Sequence, residues 1–146
     1  SAKGFLINKR TLQLFKGFKL MPHNYYGATV IRNGNRHEFY WVHFLENKED
    51  YLLKIDFSKS SFYIANLAYV KVKDANINSI SDYHKIRSSL NFQYLMADAL
   101  RFKADFIADK MDLFYIRTVT SDFLVSENLA QAIEEYEITG LKITKD

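Results

Sequence analysis

The chain has no cysteine, a single proline and only five glycines in 146 residues. Without cysteine there is no disulfide framework and no thiolate to serve as nucleophile or metal ligand, a composition that suits a reducing compartment. The glycines stand at positions 4, 17, 27, 34 and 140 and never cluster, so a Gly-rich phosphate-binding loop is excluded. One proline and no low-complexity stretch leave no linker, and residues 1–146 are expected to form a single domain. No apolar run approaches the roughly 20 residues needed to cross a bilayer. No secretory pattern opens the chain either, so no membrane partner is expected and a cytoplasmic location is. The first residues, Ser1-Ala2, lack a Met and read as a processed or tagged end. Acid is also missing from one region: residues 1–37 hold Lys3, Lys9, Arg10, Lys16, Lys19, Arg32 and Arg36 but no Asp or Glu.

What is present is an ordinary globular balance, 48% hydrophobic and 25% charged, which argues against wholesale disorder. Aromatics are plentiful, with 12 Phe, 10 Tyr and one Trp. Such residues can stack on bases or fill a β-rich core, and the second use is the commoner one. The net charge of +3 hides an asymmetry, because beyond residue 37 thirteen basic residues face seventeen acidic ones. A basic segment can meet an acidic protein or nucleic acid. Alternatively, it can compensate the acidic C-terminal stretch, where Glu127, Glu134, Glu135 and Glu137 gather.

The two ends read as variations on one module. Residues 5–20 are FLINKRTLQLFKGFKL and residues 123–138 are FLVSENLAQAIEEYEI, with Phe5, Leu6 and Gln13 matching Phe123, Leu124 and Gln131. Each has an apolar triplet, a small polar residue able to cap a helix (Asn8, Ser126), then an amphipathic stretch. In the second copy Leu129, Ala132, Ile133 and Tyr136 fall on one helical stripe. Glu127 suits the positive end of the helix dipole, whereas Lys9 and Arg10 oppose it, at a cost of several tenths of a kcal/mol. Those two charges therefore answer to something outside their helix. Whether the copies are a true duplication is open.

Along the chain, a helix over about Lys9–Lys16 should end at Gly17 in a left-handed C′ position, with Pro22 barring continuation. Tyr25–Ile31 and His37–Leu45 read as hairpin strands around Asn33-Gly34. The second has two apolar faces, as a central covered strand would. A turn over 47–50 and a third strand over Tyr51–Phe57 complete a meander. After a corner at Ser58–Ser61 come strands at Phe62–Ala65 and Tyr69–Lys73, the latter an edge. Ser81 is expected to cap the longest helix, about Asp82–Leu100, with Tyr83, Ile86, Leu90, Tyr94 and Ala97 buried. Strands follow at Phe102–Ile107 and Leu113–Val119, then the second module, with Gly140 turning into a closing strand, Leu141–Thr144. The expected fold class is α+β, a mostly antiparallel sheet with about three helices.

Chemistry-bearing clusters are sparse. His37 and His43 share a strand face with Phe39 and Trp41, but six residues along a strand separate them by about 20 Å, and no metal-ligand spacing occurs. Asp56 and Ser58 could be a carboxylate beside a nucleophile, yet no nucleophile elbow surrounds any Ser, and a local Asx-type turn suits them better. Asp109 and Asp112 offer a carboxylate pair of the glycosidase kind, although paired acids in a loop are commonplace. No catalytic residue, metal or cofactor site is assigned.

The order of elements and several strings within it resemble the α+β immunity proteins of bacterial polymorphic toxin systems. The strings are the C-terminal DFLVSENLAQAIEEYEITGLKI, the preceding MDLFYI and the central EFYWVHF…YLLKIDFSKSSF. Asp112, Leu113 and Phe114 look like the family's D-L-F turn, Asp56, Ser58 and Ser60 like its I-D-x-x-x-S corner, and Ser126 and Gly140 like the helix start and I-T-G exit of the tail. The likeness spans most of residues 5–144 and is thinnest over the N-terminal third. It implies an intracellular protein that binds a cognate toxin domain, encoded in an adjacent gene, and blocks it without catalysis. Lys9, Arg10, Lys16 and Lys19 are then candidates for the contact face, because charge complementarity would pair them with an acidic toxin surface. Two rivals stand beside this reading: a nucleic-acid-binding module using the basic N-terminal segment, and a hydrolase using Asp109, Asp112 or His43.

Overall fold

The structure, a computed structural model, describes residues 3–45, 51–116, 119–120 and 122–144. The described residues form a mixed α+β fold of four helices and eight strands in three antiparallel sheets, where one sheet was expected. They group into two units, one of residues 3–45, 110–114 and 124–144, the other of residues 51–109, 115–116, 119–120 and 122–123.

The first unit begins with strand β1 (Lys3–Ile7) and helix α1 (Lys9–Phe15). Asn8 caps α1, its side chain accepting the Thr11 amide at 2.9 Å. Strands β2 (His23–Arg32) and β3 (Asn35–Phe44) form a ten-pair hairpin closed by Asn33 and Gly34. Both turn residues have positive φ, 51° and 77°, the two left-handed positions of a type I′ turn. β3 is the central strand, as expected, but its second neighbour is β1, with Phe5 opposite Val42 and Ile7 opposite Tyr40. α1 packs on the face of this sheet that carries Phe5, Val42 and Phe44: the Phe15 ring meets Phe5 edge-on at 6.2 Å, and Phe5 meets Phe44 at 5.6 Å. The opposite face of β3 is only half covered, so the sheet is not buried on both sides.

Gly17 does not take the left-handed conformation expected of it. α1 instead ends by tightening, the amides of Gly17 and Phe18 reaching back three residues to Leu14 and Phe15. The tail of the unit follows the predicted module. Strand β8 (Leu124–Val125) pairs with β7 (Leu113–Phe114), and helix α4 (Glu127–Glu135) starts at Ser126, whose hydroxyl accepts the Leu129 amide at 3.1 Å. Leu129 and Ile133 are its buried residues. At the other end the Ile138 amide bonds the Ile133 carbonyl and the Glu137 amide bonds that of Glu134. This is a Schellman motif with Glu137 in the left-handed C′ place, at φ 49°. Gly140 is left-handed too, at φ 88°. Residues 141–144, expected to close the fold as a strand, form no strand, because the two left-handed residues turn the chain out without offering it a ladder.

A single carboxylate joins the ends of this unit. Asp112 Oδ2 accepts the Lys19 amide at 2.8 Å, and Oδ1 accepts the Ser126 hydroxyl at 2.6 Å. Its backbone repeats the link, the amide donating to the Lys19 carbonyl and the carbonyl accepting from the Ser126 amide. Leu20 then bridges Leu113 in parallel.

In the second unit, Tyr51–Phe57 is not a strand. Tyr51 and Leu52 are helical, Ile55 makes one bridge to Phe102, and Phe57–Lys59 is a 3-10 turn. The buried residues Leu52 and Ile55 lie three apart, one helical turn and not a pleat. The turn expected over 47–50 lies outside the described residues. Strands β4 (Ser61–Ala65), β5 (Lys71–Ala75) and β6 (Tyr94–Ala99) form a sheet in the order β5-β4-β6. β5 is an edge as expected, beginning two residues later, because Tyr69 turns left-handed (φ 60°) in a loop held by the Asn66 side chain.

Helix α2 (Ile80–Ser89) replaces the long helix expected to reach Leu100. Its cap is Ser79, not Ser81. The Ser79 hydroxyl accepts the Asp82 amide while the Asp82 carboxylate accepts that of Asn78, a reciprocal arrangement close to a capping box. The helix stops where Ser88 and Ser89 turn their hydroxyls onto the Lys85 and Ile86 carbonyls. Tyr94–Ala99 then finds strand partners along β4. Of the expected stripe only Tyr83 is buried on the helix, against Phe57, which stacks on Phe62. Phe102–Ile107 is not a strand: helix α3 (Ala104–Ala108) occupies it, with buried Phe106 one turn from Phe102. Leu113–Val119 is a strand only at β7; beyond it Tyr115 and Ile116 are buried without strand pairing, and residues 117–118 are not described.

Two stability predictions follow from the first unit. Asp112→Ala removes both carboxylate hydrogen bonds and should lower unfolding free energy by about 1–3 kcal/mol, read as a lower urea midpoint, with Asp112→Asn losing less. Glu137→Gly should raise stability by about 0.5–1 kcal/mol, because glycine enters the left-handed region without the strain a Cβ brings.

Candidate interaction surface

The sequence-derived candidates separate into residues that hold the fold and residues that face solvent. Asp56, Ser58 and Ser60 belong to the first kind. The Ser58 hydroxyl donates to Asp56 Oδ1 at 2.7 Å, and Lys59 Nζ lies 3.2 Å from Oδ2. The Ser60 hydroxyl donates to the Asp56 carbonyl at 2.8 Å and accepts the Arg101 amide at 2.9 Å, while the Asp56 amide reaches the Arg101 carbonyl. These bonds tie the corner before β4 to the segment between β6 and α3. The Ser58 hydroxyl, and after it Lys59, hold the Asp56 carboxyl below the usual carboxylate range. That carboxylate accepts from Ser58 and pairs with Lys59 at once, and its lowered pKa makes it a weak base toward the Ser58 hydroxyl.

Asp112 and Ser126 are likewise consumed by the link between the ends of the first unit, and Gly140 by its backbone turn. His43 lies opposite Asn24 and beside the Tyr26 ring, at 6.1 Å, while His37 lies opposite Val30. Among the described residues no group of three or more His, Asp or Glu converges as a metal site would require. A shallow hollow of about 300 Å³ lies beyond the end of α4, lined by Ile133, Ile138, Leu141, Ile143 and Thr139 with Glu134 and Glu137 at its side.

The four candidate cations are exposed. Lys9, Arg10 and Lys16 stand on the solvent side of α1, whose other side buries Thr11, Leu12, Leu14 and Phe15. The first turn of α1 holds no acid. The side chains of Lys9, Arg10 and Lys16 make no hydrogen bond or ion pair among the described residues. Lys19 follows the helix, its amide fixed by Asp112. Ion pairs form elsewhere, as in Lys54–Asp105 at 3.0 Å and Lys71–Asp74 at 2.6 Å.

Sequence reasoning missed a second surface, the sheet face turned away from α1. Register puts Leu6, Trp41 and Tyr26 in one row across β1, β3 and β2, with Phe39 and Ala28 in the next row and His37 and Val30 beyond. Leu6 is 47% and Tyr26 51% exposed, and Trp41 and Phe39 are half-buried. The Trp41 ring lies on the bare backbone of Gly4, where an added Cβ would come within 2.9 Å of it. The available signal was that His37, Phe39, Trp41 and His43 alternate along one strand.

Comparison with known proteins gives no match, whether to a family model, a curated protein or a solved structure.

The corner has a testable pH signature. The folded pKa of Asp56 lies below its unfolded value, so its contribution is fully present above about pH 4 and is lost as the pH falls through the folded value. Asp56→Asn should therefore be less stable than the wild type at pH 7, with the gap narrowing as the pH falls below about 4 in urea titrations.

Proposed function

We propose that this chain is a non-catalytic protein that neutralises a cognate bacterial toxin domain by tight protein–protein association in the cytoplasm. The observation that carries the reading is the unneutralised basic side of α1. Lys9 and Arg10 oppose the dipole of their own helix and meet no acid within the described chain, so the charge is unfavourable for the isolated fold. An acidic partner would reverse that sign, drawing encounter through long-range attraction. Lys16 and Lys19 extend the same positive field along the end of the helix. The resemblance of the C-terminal string to immunity proteins supports the partner's class, resting on the strings alone. A chain without cysteine suits a reducing compartment. Among the described residues no helix is long and apolar enough to cross a membrane.

Side chains open to a catalytic reading from sequence, Asp56 and Asp112, carry the fold's own hydrogen bonds. That supports a scaffold whose polar groups are spent on rigidity, and a rigid surface is what tight association requires. The test is co-expression with the product of the adjacent toxin gene. A stable complex is expected, and reversal of charge in Lys9→Glu/Arg10→Glu should slow association several-fold at low salt and less at high salt. Absence of any complex overturns the reading; a complex indifferent to the reversal removes α1 from it.

A further inference from the structure

The β2–β3 hairpin outruns its sheet. β1 pairs with β3 only over Tyr40–Phe44, so the five pairs from Ala28↔Phe39 to Arg32↔Asn35 form a two-stranded arm. At about 3.4 Å per residue the arm is roughly 17 Å long. Every residue from Ile31 to Glu38 is exposed, Ile31 at 68%. Arg32 and Arg36 flank the tip. Behind the arm, on the face away from α1, lies the row Leu6–Trp41–Tyr26. Taken together, that face from Gly4, His43 and Asn24 up to Arg32 and Asn35 carries no Asp or Glu.

We propose that this outer face, with Trp41 and Tyr26 as anchors and the arginine-tipped arm at its side, is where the partner protein docks. The partner's matching surface is an apolar centre flanked by carboxylates. This deepens the toxin-binding reading and rests on it.

Three observations favour a protein over a nucleic acid as occupant. Trp, Tyr and Arg are the residues that dominate protein interfaces when they cluster at a central patch. Leu6, Val30 and Ala28 are interleaved with the aromatics and cannot stack on bases. Arg32 is the only permanent cation on the face, too few for the phosphate contacts that drive nucleic-acid affinity. Charge complementarity fixes the partner's sign: an acid-free face beside two arginines repels a basic surface and fits an acidic one. α1 covers the opposite side of the sheet, so its cations act at a distance on encounter while the outer face holds the bound state.

Trp41 is the chain's one tryptophan, so its fluorescence reports on this surface alone. Titration of the full chain with the purified product of the adjacent toxin gene, itself freed of tryptophan, should shift Trp41 emission and shield it from acrylamide quenching. Tyr26→Ala should weaken binding about 30-fold, mostly by faster dissociation. Arg32→Glu, at the exposed tip where folding is indifferent to it, should slow association about tenfold. Unchanged melting of both variants is the expected control. Toxin binding that leaves Trp41 emission and quenching untouched, with Tyr26→Ala binding like the wild type, overturns the surface and leaves the toxin-binding reading standing. A chain that ignores the toxin while a single-stranded oligothymidine quenches Trp41 overturns the protein occupant. No binding by either probe overturns both readings.

Discussion

The first unit depends on one carboxylate. Asp112 reaches Lys19, ninety-three residues earlier, with one oxygen and Ser126 with the other. Ser126 in turn accepts the Leu129 amide, in the first turn of α4, through the same hydroxyl that donates to Asp112. Helix start, carboxylate and post-α1 loop thus form one relay, each group both satisfied and satisfying. Backbone bonds from Asp112 to Lys19 and Ser126, the Leu20–Leu113 bridge and the two residue pairs of β7 and β8 secure the same junction. Asp suits the place because its short side chain leaves few rotamers to freeze, and closing so long a chain loop already carries a large entropic cost. The D-L-F string is therefore a structural clasp.

The two ends share geometry without sharing partners. Asn8 and Ser126 cap their helices at the same offset, on Thr11 and Leu129, and both of those residues are buried. Phe15 and Ile133 occupy the matching buried place one turn on. Yet β1 joins a three-stranded sheet through β3, while β8 pairs with a two-residue strand. A capped amphipathic segment after a short strand is a locally determined unit that docks wherever an apolar face is offered. Similarity of that kind arises from the same capping and periodicity physics in either copy.

What was legible in the sequence was local chemistry. Both caps, the Asn33-Gly34 turn, the central place of β3 and the α+β class could be read from single residues and short spacings. The errors share a cause. YLLKIDF and FKADFI are short and apolar-rich, and read from sequence their apolar residues suit a helical turn as well as a strand, so tertiary partners decided. The stretch from Asp82 to Leu100 has helical periodicity throughout, but Ser88-Ser89 offers its carbonyls side-chain donors and β4 offers Tyr94–Ala99 a ladder. Ser79 was overlooked although Asp82 stands three residues on, the spacing of a reciprocal cap. The cations of α1 were visible because charge is read residue by residue. The grouping of His37, Phe39, Trp41 and His43 on one strand face was visible too, but which face α1 covers was not, because a one-residue change in register exchanges the two faces of a strand. In a chain this rich in Phe and Tyr, both faces of β3 look like core.

The contrast between the two faces of that sheet bears on what the fold is for. On the inner face, Phe5, Phe15 and Phe44 interlock and exclude water, the ordinary use of aromatics. On the outer face, the Trp41 ring lies against Gly4, a glycine whose missing side chain leaves room for it. That arrangement fixes the indole's orientation before anything binds it. Holding a ring half in solvent forgoes part of the roughly 25 cal/mol per Å² that full burial would contribute. A fold needing only stability could place a small polar residue there. A preorganised aromatic on an acid-free face, beside an arginine-tipped arm, would lower the entropy cost of association instead, and so the exposed rings and the cations of α1 both support the proposed binding role.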